Sequence, residues 1–194
     1  GARVRGPDEA QGGEVTGQRS HAPREAIFRP ISVATCDLDG VAIHGVVPLR
    51  GPYAFGHECV AQVIETGADV TSVKCGDTVI CPFQISCGEC DRCKRGLTGS
   101  CESVQAGSSY GLGPLGGMTW GSALSDAMLV PYADAMLVKV DAGSERLASL
   151  ADNVPDGWRT VAPHLEERPG SPVLILGGLD SIPGAIVGGL IIGA

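Results

Sequence analysis

Short apolar segments separated by turns make up most of this chain. In residues 26–34 (AIFRPISVA) apolar positions alternate well enough to predict a β-strand, and Pro30 within it predicts an edge position or a bend. Turns rich in Gly and Asp separate further predicted strands, at 60–65, 70–73, 78–82, 127–131 and 135–140. Many short strands at close spacing predict a mainly β, barrel-like domain over about residues 26–140.

The pattern is different on either side of this domain. Residues 1–25 are polar and Gly-rich with neither strand nor helix periodicity, so we expect them to be extended or poorly ordered. On the other side, residues 145–151 and the segment from Pro155 through Leu165 are helix-like. A polar break at 166–170 precedes an apolar run, a Gly turn and a second apolar stretch, which is the order that opens a βαβ unit.

Composition narrows the possible partners. The 194 residues can form one good core or two small ones. The 29 Gly, 13 Pro and 4% aromatic residues favour short strands and turns over a helical bundle. The formal net charge of -8 disfavours nucleic acid as a partner, because phosphate binding needs clustered Lys and Arg.

The two ends of the sequence bear on localisation and assembly. The first residues contain no apolar run of the signal-peptide kind. The eight cysteines include four with the spacing of metal ligands, described below, and without a secretory signal this predicts a reducing, cytoplasmic environment. Residues 171–194 are apolar but contain Asp180 and Pro183, so we do not predict a membrane segment. Because this apolar stretch has few neighbours to pack on, we expect the chain to associate as a homo-oligomer.

Four cysteines stand in residues 87–101, called here the cysteine loop, with the spacing Cys-x2-Cys-x2-Cys-x7-Cys. Gly, Asp, Arg and Lys separate them, which gives the loop the composition and short reach that tetrahedral thiolate coordination of Zn²⁺ needs. Disulfides at this spacing would be strained and in competition. An iron–sulfur cluster and redox or unliganded thiols remain alternatives. The spacing therefore predicts a closed structural zinc site formed by Cys87, Cys90, Cys93 and Cys101.

Three stretches carry a family resemblance: residues 56–83 (GHECVAQVIETGADVTSVKCGDTVICPF), the cysteine loop, and residues 130–140 (VPYADAMLVKV). They resemble the zinc-dependent alcohol dehydrogenases of the medium-chain dehydrogenase/reductase superfamily. Within that superfamily, the segments PFQISCGEC and VPYAD are most similar to the formaldehyde and polyol dehydrogenase branch. The resemblance covers roughly residues 26–194. It implies a GroES-like barrel with two zinc ions, joined to a Rossmann domain that binds NAD(P).

The resemblance also implies a domain division. We expect a polar leader at 1–25, a GroES-like zinc-binding domain at 26–150, a connecting helix and linker at 151–170, and the start of an incomplete Rossmann-type domain at 171–194. The opening strand pair of the family is not recognisable in the leader, which predicts an exposed barrel edge. In the last segment the cofactor-binding candidates are the residues of the Gly turn, namely Gly177, Gly178, Ser181 and Ile182, although the turn lacks a clean G-x-G-x-x-G.

A second, catalytic zinc is implied by the same resemblance. Its ligands by motif are Cys36, His57 and Asp152, and Glu58 matches the residue that can approach the metal when the open position is empty. Taken singly, these residues also have structural interpretations: a small buried thiol, a structural histidine and a helix cap. Together they imply hydride transfer between a small alcohol or aldehyde and NAD or NADP, with zinc as the Lewis acid.

One position departs from the family pattern. Where the family usually has Thr or Ser to pass on the alcohol proton, this sequence has Leu38, which can neither donate nor accept. This departure predicts that turnover is limited by proton removal. A second functional hypothesis stays open because the residues after the Gly turn are too few for the several strands that a dinucleotide site needs, namely a non-catalytic zinc-binding remnant or interaction module that lacks a complete cofactor site.

Overall fold

Short strands and short helices alternate along the part of the chain that the computed structural model describes, which is residues 2–6, 9–12, 22–44, 53–112, 120–141, 143 and 145–173. The strands are β1 (Ala2–Gly6), β2 (Glu9–Gly12), β3 (Ala26–Ala34), β4 (Tyr53–Ala54), β5 (Glu58–Thr66), β6 (Thr78–Cys81), β7 (Met128–Val130) and β8 (Val138–Val140). The α-helices are α1 (Asp37–Ile43), α2 (Asp91–Lys94), α3 (Ala133–Met136) and α4 (Asn153–Glu167). Two 3-10 helices span Thr98–Ser100 and Glu145–Ala151.

The strands form two antiparallel sheets, one of five strands in the order β7-β3-β5-β6-β8 and one of three in the order β2-β1-β4. The long central pair of β3 and β5 runs from Ala26 opposite Thr66 to Ala34 opposite Glu58. This register places the end of β3 beside the beginning of β5. The same end of the sheet carries the candidate site.

The core of the larger sheet is formed by apolar side chains from its strands. Side chains from β3, β5, β6 and β7 pack together, and most are at most 2% exposed; the set includes Phe28, Val63, Val79, Met128 and Val130. Tyr110 joins them from a loop and donates its hydroxyl to the carbonyl oxygen of Leu129 at 2.8 Å, so its polar end is satisfied. The mainly β prediction is confirmed.

Pro30 has the effect that the sequence predicts. The pairing of β3 with β5 shifts register between Pro30 and Ser32, which marks a bend in the strand. On its other side, β3 pairs with β7 only over residues 26–28, so the proline lies beyond the last residue paired on that side. A residue without a backbone N–H is tolerated there because no ladder bond to β7 is lost.

The predicted strands at 26–34, 60–65, 78–82 and 127–131 are confirmed by β3, β5, β6 and β7. The strand predicted at 70–73 is wrong. There the backbone N–H groups and hydroxyls of Thr71 and Ser72 donate to the carboxylate of Asp134 at 2.8–3.1 Å, so a side chain takes the place of a neighbouring strand. Asp134 lies in α3, and the strand predicted at 135–140 is reduced to β8.

The segments on either side of the β domain also contain regular secondary structure. In the leader, β1 and β2 form an antiparallel pair and β1 also pairs with β4, so residues 2–6 and 9–12 are extended, which is one of the two expectations for the leader, and they form a strand pair that the sequence does not reveal. Strands pair through backbone hydrogen bonds, which do not require alternating apolar and polar side chains. The leader lacks that alternation, so its sequence shows no strand signal. The helical predictions at 145–151 and 155–165 are confirmed by the second 3-10 helix and by α4.

The chain divides into two compact units, residues 1–154 and 155–194. All the residues of the candidate sites below lie in the first unit. In the described ranges, no helix combines the length and apolar character that a membrane crossing requires.

Candidate metal centres

Cys36 and His57 come together because of the β3–β5 register. Cys36 follows the end of β3 and occupies the N-cap position of α1, while His57 directly precedes β5. The Cys36 Sγ and His57 Nε2 atoms are 3.6 Å apart. His57 is buried, and the ring of Phe83 packs against it edge-on with 5.9 Å between the ring centroids. The imidazole is therefore confined between the sheet end and an aromatic ring.

Three carboxylates surround this imidazole. Asp39 Oδ1 lies 3.3 Å from His57 Nδ1, in an arrangement outside hydrogen-bond geometry, while Asp152 Oδ2 and Glu58 Oε1 lie 3.6 Å and 3.7 Å from His57 Nε2. Burial lowers the pKa of His57, but the adjacent Asp152 and Asp39, together with Cys36, outweigh it and raise the pKa to about 12. The cluster thus strongly favours positive charge at its centre.

Glu58 is the most deeply buried of these acids, with no exposed surface. Burial raises its pKa, and the bond from the Asn153 backbone opposes that rise. Asn153 donates twice, from its backbone N–H to Oε2 at 3.3 Å and from its side-chain Nδ2 to Oε1 at 2.5 Å. Asn153 begins α4 and directly follows Asp152, so one short segment brings both residues to the site.

The donor set fits a divalent metal. In a tetrahedral zinc site, Zn–S and Zn–N bonds of about 2.3 and 2.1 Å put the sulfur and nitrogen about 3.6 Å apart. That is the separation found between Cys36 Sγ and His57 Nε2. Ligand atoms of Cys36, His57 and Glu58 all lie within 4.8 Å of one another.

Asp39 is a functional candidate that motif reasoning missed. It stands at the third position of α1, accepts a hydrogen bond from the backbone N–H of Cys36 at 2.9 Å, and faces His57 Nδ1. It therefore contacts two ligand residues at once without itself pointing at the donor centre. Carboxylates in this position orient a metal-binding histidine and fix its tautomer. The spacing Cys-x2-Asp at a helix start is the signal that could have identified it.

Removing the Asp39 carboxylate should weaken metal binding without deleting a ligand. We expect Asp39→Ala to lower the zinc affinity of this centre about 10- to 100-fold, because the His57 ring loses the carboxylate 3.3 Å from its Nδ1 and the Cys36 backbone N–H loses its acceptor. Asp37→Ala is the matched control, since Asp37 is exposed in the first turn of the same helix. A competition titration against a zinc chelator measures both. Equal affinities for the two variants would contradict the orienting role.

The cysteine loop forms the second cluster. The sulfurs of Cys87, Cys90, Cys93 and Cys101 all lie within 4.8 Å of one another, and Cys87 Sγ and Cys93 Sγ are 4.0 Å apart. Four sulfurs at about 2.3 Å from a tetrahedral zinc would be about 3.8 Å apart. Three of the four are buried, and Cys90 caps α2 by accepting from the Cys93 backbone at 3.5 Å.

Donors in and directly after the loop favour the anionic form of one of these sulfurs, that of Cys87. Cys87 Sγ accepts from the Ser103 hydroxyl at 3.2 Å and from the backbone N–H groups of Glu89 and Cys90 at 3.4 Å. Burial raises the pKa of Cys87, but these bonds outweigh it and lower the pKa to about 6. By contrast, burial and the neighbouring sulfurs raise the pKa of Cys93 to about 12. The four thiols can all ionise together only if a cation shares their charge.

The structure therefore brings together both predicted sets of ligands. Asp152 lies nearer the edge of its set, since it is close to His57 but outside the compact group of Cys36, His57 and Glu58. The remaining cysteines lie elsewhere in the described chain: Cys59 and Cys81 are buried register partners on β5 and β6, and Cys75 is exposed. The predicted cofactor-binding residues Gly177, Gly178, Ser181 and Ile182 lie outside the described residues.

An antiparallel β domain with one sulfur-only cluster and one mixed thiolate, imidazole and carboxylate cluster defines a zinc-binding class of domain. Comparison with known proteins agrees: the family model described as "Alcohol dehydrogenase GroES-like domain" matches residues 22–142. The chain belongs to this family of alcohol dehydrogenase GroES-like domains. The resemblance to zinc-dependent alcohol dehydrogenases of the medium-chain superfamily and the GroES-like fold are confirmed.

The chain is also similar to individual proteins of known name. A glutathione-independent formaldehyde dehydrogenase of Pseudomonas aeruginosa is 36% identical over 160 residues, covering 78% of this chain and 39% of that protein. An uncharacterized zinc-type alcohol dehydrogenase-like protein of Bacillus subtilis is 34% identical over 163 residues, covering 79% and 42%. Among solved structures, the alcohol dehydrogenase TADH from Thermus sp. ATN1 matches with a TM-score of 0.68 and 29% identity over 78% of this chain and 43% of that one. The chain thus spans about two fifths of these relatives.

Proposed function

We propose that this chain is the zinc-bearing part of an alcohol or aldehyde oxidoreductase that transfers hydride between a small alcohol and NAD or NADP. The observation that carries the proposal is the cluster of Cys36, His57 and Glu58, whose ligand atoms converge at zinc-like spacing at the end of the sheet. Relatives named as formaldehyde and zinc-type alcohol dehydrogenases support a small alcohol or aldehyde as the substrate. Assembly as a homo-oligomer and a cytoplasmic location remain predictions.

Each residue of the proposed metal centre would have its own role. Cys36 and His57, with Glu58 or Asp152, would hold the metal, and Asp39 would orient the imidazole through Nδ1 so that Nε2 faces the centre. When bound, zinc supplies a Lewis acid that lowers the pKa of an alcohol. His57 is buried and Phe83 packs edge-on against it, so water has little access to the imidazole. The cysteine loop would contribute order to the domain and no chemistry.

Leu38 favours the second hypothesis, a zinc-binding protein without turnover. It lies in the first turn of α1, two residues after Cys36, and its side chain is 41% exposed. No hydroxyl is available at this position to carry a proton away from the site. If the chain is catalytic, water or another group must take that role, and proton removal is expected to limit the rate.

Metal analysis of the purified chain tests the proposed centre. We expect about two zinc ions per chain in the unchanged protein and about one in His57→Ala, because the variant loses the imidazole while the cysteine loop keeps its four sulfurs. The matched control is His164→Ala, which removes an exposed imidazole on α4 and should leave about two. Loss of zinc in both variants, or in neither, would count against a centre at His57.

A cofactor titration separates the two functional hypotheses. Binding of NAD(H) or NADP(H) to the chain supports the oxidoreductase. About two zinc ions per chain with no cofactor binding supports the non-catalytic zinc-binding protein.

A further inference from the structure

The carboxylate of Glu58 is held in an unusual way for an acid with no exposed surface. Neither of its oxygens is paired with Lys or Arg in the described chain. Both oxygens instead accept from a single residue, Asn153, which bonds Oε2 through its backbone and Oε1 through its side chain. Because Glu58 and Asn153 are 95 positions apart in sequence, this pair of bonds also ties the start of α4 to the start of β5.

The oxygen that accepts from the side chain of Asn153 is the one that faces the donor centre. Glu58 Oε1 lies 3.7 Å from His57 Nε2 and accepts from Asn153 Nδ2 at 2.5 Å. A carboxylate oxygen has two lone-pair directions, so the amide can occupy one while the other stays directed at a cation. Hydrogen bonds of this kind to ligating carboxylates are what fix their orientation in metal sites.

The hydrogen bonds from Asn153 favour Glu58 over Asp152 as the carboxylate ligand. Glu58 belongs to the compact group with Cys36 and His57, whereas Asp152 does not, although both approach His57 Nε2 to within 3.7 Å. Without the amide, Glu58 would keep only one donor, the backbone N–H at 3.3 Å on its other oxygen. The side chain of Asn153 is therefore the contact that keeps Oε1 in the group.

We propose that Asn153 is a positioning residue that holds Glu58 as the carboxylate ligand of the metal centre, an inference that rests on the proposed function. Asn153 acts through Glu58 and does not itself reach the donors. It is exposed on its outer side, so replacing it opens no cavity in the core.

Cobalt substitution gives a readout that does not depend on activity. The full chain, freed of zinc, is titrated with Co²⁺, and the visible spectrum of Cys36→Ser under the same conditions is subtracted to remove the contribution of the cysteine loop. We expect Asn153→Leu to weaken Cys36-dependent Co²⁺ binding about 10- to 100-fold and to change the ligand-field bands, because a carboxylate leaves or rotates. Gln62→Leu is the matched control, since it also removes an exposed amide that donates to one acceptor, the carbonyl of Gly76.

A double-mutant cycle with Glu58→Gln distinguishes positioning from a general effect on the start of α4. The proposal expects Asn153→Leu to have almost no further effect on Co²⁺ binding in the Glu58→Gln chain. An undiminished effect there, or an unchanged affinity and spectrum in Asn153→Leu alone, overturns it. If the unchanged chain and Cys36→Ser bind Co²⁺ with identical spectra, the metal centre itself is wrong, which is a different failure from that of Asn153.

Discussion

Cys93→Ser is expected to weaken zinc binding by the cysteine loop about 100-fold and to destabilise that loop while the two sheets remain. The sulfurs are its core: Cys87, Cys93 and Cys101 are the buried residues, and Cys90, Val104 and Tyr132 are the partly buried side chains packed against them. Structural zinc contributes about 10–16 kcal/mol to small metal-folded domains, so losing one ligand of four should cost on the order of 3 kcal/mol. That corresponds to about 100-fold in zinc affinity.

Two measurements check this result. At a chelator concentration that leaves about two zinc ions on the unchanged chain, metal analysis of the variant should give about one, and trypsin should now cut within the loop at Arg92, Lys94 or Arg95, which α2 and its C-cap hold in the folded loop. Cys75→Ser is the control, because that thiol is exposed, lies outside both clusters, and donates to the carbonyl of Ile64. Full zinc retention and trypsin resistance in Cys93→Ser would show that the loop is not a zinc site.

Gly111→Ala is expected to be the most destabilising of the small substitutions near the mixed cluster. Gly111 has φ near +62°, and a Cβ there would overlap the carbonyl oxygen of Gly56, which precedes His57. The left-handed backbone costs an alanine about 1–2 kcal/mol, and forced repacking adds about 1–3 kcal/mol. The Gly56 carbonyl also accepts from Ala123 at 2.8 Å, so moving it breaks a backbone bond.

Urea denaturation of the variant should show a loss of about 3 kcal/mol in the free energy of unfolding, together with weaker zinc binding at the centre that includes His57. Gly76→Ala supplies the control, because Gly76 has φ near +92° but open space where a Cβ would go. Only the backbone cost should appear there. If the two variants lose the same stability, the contact with Gly56 has no energetic weight.

The cysteine loop was predictable because its ligands are local. Cys87, Cys90, Cys93 and Cys101 lie within one turn-rich segment, so spacing alone limits what they can form. The ligands of the other centre are spread from Cys36 to Asp152 and were found only through the family resemblance. The fold brings them together by strand pairing, which the hydrophobic pattern indicates in kind but not in register.

The Cys-x2-Asp spacing could have marked Asp39 as a candidate, but the long-range contacts that give Asp39 and Asn153 their roles do not show in the pattern of the sequence. Asp39 looks like an ordinary acid in a helix start, and its importance depends on His57 arriving from another strand. Asn153 looks like a polar residue at a helix start, and its partner is Glu58, far away in sequence. The strand wrongly predicted at 70–73 fails for the same reason, since Asp134 supplies the acceptors. Side chains that satisfy backbone or buried groups over long range leave no periodic signal.

The position of the cysteine loop along the chain has a kinetic consequence. The loop interrupts the long connection from β6 to β7, and β7 pairs with β3, which precedes both β5 and β6 in the chain. A metal tie between residues 87 and 101 shortens that connection, but chain-closure entropy varies only with the logarithm of length, so the gain is about 0.3 kcal/mol. Sheet closure and ordering of the loop are thus nearly independent steps of folding, and the refolding rate of the sheet should hardly depend on when zinc reaches the loop.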